Sequence, residues 1–168
     1  MKRIFMAFFT VAFLLLCPVV RSQEFSKEAL NDVFLTTEGK DISFAQVLET
    51  HKGKTLFIDV WASWCKDCLE SIPGLRKLKD RYTDVTFLFL SLDRSVEGWH
   101  KGREKHRLDY GEHYFIKAGW KGSAFCKDIE LDWIPRYLVV SPEGKIVLYK
   151  AIETDDESLI NTLNQTIQ

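Results

Sequence analysis

The chain has 168 residues, enough for one domain with a sizeable core and cramped for two. Apolar residues make up 46% and charged residues 28%, a globular balance that excludes disorder, collagen-like repetition or coiled coil as the main state. Its 23 basic and 24 acidic side chains give a formal charge of -1, with no polybasic tail to favour nucleic acid.

Lys2 and Arg3 precede an apolar run from Ile4 to Leu16 broken only by Thr10, the charge-then-apolar order of a secretory signal peptide. Carried on to Val20 the run is still short for a membrane span, so an uncleaved anchor is the lesser reading. Residues 1–22 are therefore expected to be a signal peptide, with Val20-Arg21-Ser22 a candidate cleavage point and lipidation at Cys17 the alternative, although Leu16 is larger than a lipoprotein signal wants there. Membrane association is expected only through an uncleaved signal or a lipidated Cys17. Residues 23–168 are expected to fold as one domain; they carry Cys65, Cys68 and Cys126, one close pair and one odd cysteine. In an oxidising compartment that count suits a redox site better than a framework of bridges.

Residues 23–33 are polar and weakly patterned, after which Val33-Phe34-Leu35 predicts a short strand. Ile42, Phe44, Val47 and Leu48 fit a short helical stripe closed by His51-Lys52-Gly53-Lys54. Thr55 to Trp61 reads as a strand apolar on both faces apart from Asp59, which puts it in the middle of a covered sheet. Cys65 to Tyr82 is the longest helix, with Leu69, Ile72, Leu75, Leu78 and Tyr82 on its buried side and Pro73 kinking it without dividing it. Val85 to Leu90 is a second buried strand, followed through Ser91-Leu92-Asp93 by a helix around Val96 to His106. This alternation calls for right-handed crossovers in an α/β sheet.

Arg107 to Trp133 is an aromatic-rich excursion with one short helix over Gly122 to Lys127. Its Tyr110, His113, Tyr114, Phe115, Trp120 and Phe125 are expected to cover a small core of the excursion itself, the other reading being a partner groove. Tyr137 to Val140 and Ile146 to Tyr149 form an antiparallel pair around Pro142-Glu143-Gly144, and a final helix spans Asp155 to Ile167, with Thr154 and Glu157 as its capping box.

The chemistry concentrates in Trp64-Cys65-Lys66-Asp67-Cys68, at a junction between buried strand and helix. The unpaired N–H groups and dipole at a helix start favour a thiolate, Lys66 adds to this and Asp67 opposes it. Three-residue spacing puts Cys68 one turn behind Cys65, so Cys65 is expected to be the exposed attacking thiolate and Cys68 the inward resolving thiol. Asp59, buried without an evident partner, should have a raised pKa and exchange a proton with Cys68. Trp64 is expected to be a platform beside the pair. Zinc ligation lacks a second close ligand pair, haem attachment fails because residue 69 is leucine, and an inert structural disulfide explains the strand-to-helix position poorly. Cys126 is expected to be a buried helical cysteine, a regulatory thiol being the alternative.

The stretch Phe57 to Cys68 followed by Pro73 resembles the active-site segment of the thioredoxin superfamily, most closely the exported TlpA/ResA-like thiol-disulfide oxidoreductases. Asp59 falls at the place of that family's buried carboxylate, and Trp61 and Trp64 at its two tryptophan places. Ile134-Pro135-Arg136-Tyr137 resembles its cis-proline loop. The resemblance implies a central mixed sheet flanked by helices with an insertion before that loop, a cis Ile134-Pro135 bond, and backbone hydrogen bonding from Ile134 to substrate. Lys66-Asp67 departs from the Gly-Pro of ordinary thioredoxin, so the redox potential does not carry over. It also implies reduction of disulfide-containing protein substrates with a membrane-linked or other thiol electron donor, in the periplasm or otherwise outside a bacterial cytoplasm, with no cofactor or metal. An oxidase or isomerase, or a non-catalytic binding or metallochaperone module on the same fold, is the alternative.

Overall fold

The computed structural model describes residues 23–166. The expected leader over residues 1–22, with Cys17, lies outside the described residues, as does Ile167. Among the described residues no helix is long and apolar enough to cross a membrane.

The described chain opens with helix α1 (Lys27–Leu30), strands β1 (Val33–Thr36) and β2 (Asp41–Ser43), and helix α2 (Phe44–Thr50). Strand β3 (Leu56–Trp61) leads into α3 (Lys66–Arg81), β4 (Thr86–Ser91), α4 (Val96–Lys105) and β5 (Glu112–Ile116). Two short helices, α5 (Gly119–Gly122) and α6 (Ala124–Asp128), precede β6 (Arg136–Val140), β7 (Ile146–Ala151) and α7 (Glu157–Thr166). The strands form one mixed sheet in the order β2-β1-β5-β4-β3-β6-β7. Pairing is parallel for β3 with β4 and β4 with β5, where a helix makes each crossover, and antiparallel elsewhere.

The alternation of β3 sorts the two layers. Phe57, Asp59 and Trp61 share a face with Phe87 and Phe89 of β4, Phe115 of β5 and Tyr137 of β6. Helices α3 and α4 cover it: Lys79 lies over Phe87, and Trp99 reaches Phe115 with ring centroids 5.8 Å apart. Leu56, Ile58 and Val60 point to the opposite layer. There Phe44 of α2 lies 4.8 Å from both Phe25 and Phe125 and 5.6 Å from Phe34. Phe44 touches all the other rings of this cluster, so truncating it to alanine would cost about 3–5 kcal/mol.

Several local expectations are corrected. The excursion does not keep a core of its own: β5 enters the main sheet between β1 and β4, His113 stacks on Phe89 at 4.7 Å, and Phe125 joins the main aromatic cluster. Ile42 belongs to β2, not to the helix, which begins at Phe44 because Ser43 caps it and Gln46 closes the capping box. At α7, Asp156 takes the capping role assigned to Thr154, its Oδ1 accepting from the N–H groups of Ser158 and Leu159. Helix α3 runs as one element through Pro73.

Gly102 marks where α4 meets the turn after β3. A Cβ there would lie 2.2 Å from Ser63 Cβ. Helix propensity alone would make Gly102→Ala stabilising by about 1 kcal/mol. The overlap costs more, about 1–3 kcal/mol, so the substitution is expected to lower stability by denaturant unfolding. A variant as stable as wild type would show that α4 withdraws freely from the turn.

Candidate active site

Strand β3 ends at Trp61 and the chain turns at once, the Cys65 N–H bonding to the Ala62 carbonyl at 3.1 Å. The turn is held from β4. Ser63 donates its N–H and hydroxyl to Asp93 Oδ1 at 3.1 and 2.6 Å, and the Ser91 hydroxyl donates to Asp93 Oδ2 at 2.8 Å. Because Ser91 is the register partner of Trp61, Asp93 ties together the ends of the two central strands. Sequence reading saw Asp93 only as a lead into a helix. The usable signal was a Ser-x-Asp turn directly after a buried strand.

Cys65 is the N-cap of α3, with its Sγ accepting from the Cys68 N–H at 3.2 Å. Cys65 and Cys68 are joined in a disulfide. Cys65 is less open than expected, 7% exposed against 2% for Cys68; Trp64 is instead the exposed one, at 49%. Lys66 faces solvent and pairs with Glu70 at 3.3 Å, which draws its charge away from the sulfurs. As N-cap, Cys65 sits at the partial positive charge of the helix start.

Across from the pair the Ile134–Pro135 peptide is cis, and the Ile134 carbonyl oxygen lies 3.5 Å from Cys65 Sγ. The next residue, Arg136, is fully buried. Its Nη1 donates to the Ile129 carbonyl at 3.0 Å and its Nη2 to Asp132, whose other oxygen takes Lys150 at 2.6 Å. Trp120 Nε1 donates to the Leu131 carbonyl at 3.0 Å. Residues 129–135 thus form a strap pinned by side chains on both sides, with Trp133 held outward at 55% exposure. In sequence Arg136 is only part of the segment resembling the cis-proline loop and Trp133 only the end of the excursion, since an arginine after proline reads as a surface residue until its burial is known.

Asp59 lies on the β3 face that α3 covers, 2% exposed, and its Oδ1 has no hydrogen-bond partner among the described residues. Burial pushes its carboxyl well above the usual carboxylate range. Tyr137 stands opposite it in register, and burial with the Asp59 charge beside it drives the phenol upward as well. Cys126 is a free, buried thiol on α6, raised to about 11 chiefly by burial.

This arrangement, a disulfide at a helix start facing a cis-proline loop, agrees with what sequence comparison finds. Residues 53–146 match the family described as Thioredoxin-like. The chain belongs to that thioredoxin-like family. The thiol-disulfide oxidoreductase ResA of Bacillus thuringiensis is 30% identical over 159 residues, covering 88% of each chain. ResA of Bacillus cereus is 36% identical over 124 residues, 74% of this chain and 68% of that protein. Among solved structures, a thiol-disulfide oxidoreductase from Bacteroides fragilis superposes with a TM-score of 0.67 at 25% identity, over 83% of this chain and 98% of its own. The thioredoxin domain of an oxidoreductase from Bacteroides vulgatus shares the fold, with a TM-score of 0.68 at 24% identity over 88% and 100% of the two chains.

The raised carboxyl of Asp59 has a stability consequence with a definite sign. Between the ordinary carboxylate range and its elevated folded pKa, the native state keeps a proton that the unfolded state has lost. Stability from this group is therefore complete at acid pH and falls by about 1.4 kcal/mol per pH unit across that window. Asp59→Asn is expected to flatten this fall, gaining on wild type as pH rises from 4 towards neutrality, as thermal unfolding at successive pH values would show; parallel curves would mean that Asp59 is not strained when ionised.

Proposed function

We propose that this protein is an exported bacterial thiol-disulfide oxidoreductase that reduces disulfides in proteins, residues 23–168 acting as one thioredoxin-like domain behind a removed leader. The observation that carries the reading is the Cys65–Cys68 disulfide at the start of α3, with the Cys68 N–H directed at Cys65 Sγ. The same bond that caps the helix stabilises a thiolate on Cys65 once the pair is reduced. The bacterial ResA relatives, thiol-disulfide oxidoreductases by name, support the activity, and the charge-then-apolar order of residues 2–16 supports the export. The segment from β5 to α6 is read as the family's insertion before the cis-proline loop.

In the reducing direction the Cys65 thiolate attacks one sulfur of the substrate disulfide. That S–S bond breaks, a Cys65–substrate disulfide forms, and the released substrate sulfur takes a proton. Cys68, losing its proton, then attacks Cys65 Sγ and releases the second substrate thiol. Two electrons pass to the substrate with two protons, one taken from water by the first released sulfur and one from Cys68 by way of Asp59, and a separate thiol donor, membrane-linked in this reading, must return the electrons. The ionised fraction of Asp59 accepts the Cys68 proton: a carboxylate made more basic by burial is better matched to a thiol than an ordinary one. Trp64 shields the pair, while Ile134 and Pro135 offer backbone and shape to an extended substrate.

Cys68→Ser is expected to trap substrate and donor proteins on Cys65, identifiable by mass spectrometry after non-reducing separation; recovery of no mixed disulfide would count against the scheme. In the reduced protein brief alkylation near neutral pH is expected to label Cys65 first and Cys126 last, since burial holds the Cys126 thiol at about 11. Preferential labelling of Cys68 would reverse the two roles. Asp59→Asn is expected to slow decay of the mixed disulfide by about tenfold near neutral pH, with the defect shrinking in alkali as Cys68 ionises unaided. Unchanged decay at every pH in the folded variant would remove Asp59 from the mechanism.

A further inference from the structure

Two hollows flank the disulfide and share a wall. The first, about 290 Å³, is lined by Trp64, Cys65, Trp120, Trp133 and Ile134, with Lys66 and Asp67 at its edge. The second, about 480 Å³, lies against Pro135 and is walled by Asp67, Glu70, Glu153 and Asp155. Asp67 and Trp133 line both, so one continuous surface runs past Cys65.

The two halves differ in chemistry. Among the described residues four large apolar side chains stand exposed, and three of them, Trp64, Trp133 and Ile152, line these hollows. Exposed tryptophan is costly to keep in water and marks a contact surface when several share one site. Nor is Trp133 exposed because its segment is loose. Arg136, Lys150 and Trp120 all fix the strap that carries it, so its position is set before any partner arrives. The second hollow has no lysine or arginine in its lining, and Asp67, Glu153 and Asp155 form no ion pair among the described residues. Only Glu70 is partly neutralised, by Lys66.

We propose that these hollows select the substrate: an extended polypeptide segment whose cystine is flanked on one side by a large apolar or aromatic residue, seated among Trp64, Trp120 and Trp133, and on the other by lysine or arginine, over Asp67, Glu153 and Asp155. The inference rests on the oxidoreductase reading and adds the class of disulfide it accepts. Trp120 and Trp133 supply the apolar contact, and the acidic wall supplies complementary charge. The two contributions differ in their response to salt, because the aromatic contact is not screened whereas the exposed charges are.

The test uses the reduced protein and matched cystine-bridged peptides, identical except for tryptophan or alanine on one side of the bridge and arginine or glutamate on the other. Hydroxyethyl disulfide, small and uncharged, serves as a probe of the chemistry alone. The tryptophan-arginine peptide is expected to oxidise the protein at least about tenfold faster than the alanine-glutamate peptide. Raising salt from about 50 to about 500 mM should shrink the arginine preference and leave the tryptophan preference. In Trp133→Ala the ratio of tryptophan to alanine peptide rates should fall towards one; in Glu153→Gln with Asp155→Asn the ratio of arginine to glutamate rates should do so. Equal rates for all four peptides, with hydroxyethyl disulfide still consumed, would overturn the selection and leave the oxidoreductase standing. Failure to exchange with hydroxyethyl disulfide as well would overturn the reading beneath it.

Discussion

Strand β3 has a hydrogen-bonded neighbour on each edge and no wet face, and every functional group depends on where it ends. A strand held this way has no freedom to slide, because a one-residue slip would turn its whole apolar set over. Its last residue therefore delivers Ala62 to Cys65 to one place at the sheet's end. The turn after β4 supplies Asp93 to hold that segment, and β6 starts just after the cis-proline that faces it. The redox pair and the loop opposite it thus come from segments about seventy residues apart, brought together by adjacent strands.

That rigidity leaves charge in uncomfortable places. Asp59 sits buried on the central strand, and Arg136 is buried with its charge answered by a half-open carboxylate. Neither is what a core selected for stability alone would choose, since well-packed apolar residues do as well or better than buried charge. The arginine is compensated by hydrogen bonds and makes the strap stiff. The aspartate has no hydrogen bond to its buried Oδ1 among the described residues, so burial holds its carboxyl well above the ordinary range.

Much of this was legible in the sequence because two signals coincide there. An uninterrupted apolar strand followed by two cysteines one helical turn apart places Cys65 at a helix start whatever the rest of the fold. Asp59 stands out against the same run. Elements that depend on distant partners were not legible. β5 lies between β1 and β4 and is buried on both faces, so Glu112 to Ile116 shows no alternation to mark it as a strand. β2 is three residues long, too short to show a period, and Ile42 therefore joined the helical stripe. At α7, Thr154 and Asp156 are both good caps, and only the backbone decides between them. Arg136 shows the same limit: its role comes from Ile129 and Asp132, which reach it only after the strap has folded back.

Cys126 gives the packing of α6 a second meaning. A third thiol in the chain is a rival partner for either active-site sulfur, and a wrong intramolecular bridge would disable the protein as surely as losing a cysteine. What separates it from the pair is the seating of α6 against Phe34 and Phe44 through its neighbour Phe125. The aromatic cluster on the layer away from Asp59 therefore acts as an insulator: so long as it is closed, sulfur exchange among the described residues is confined to Cys65 and Cys68.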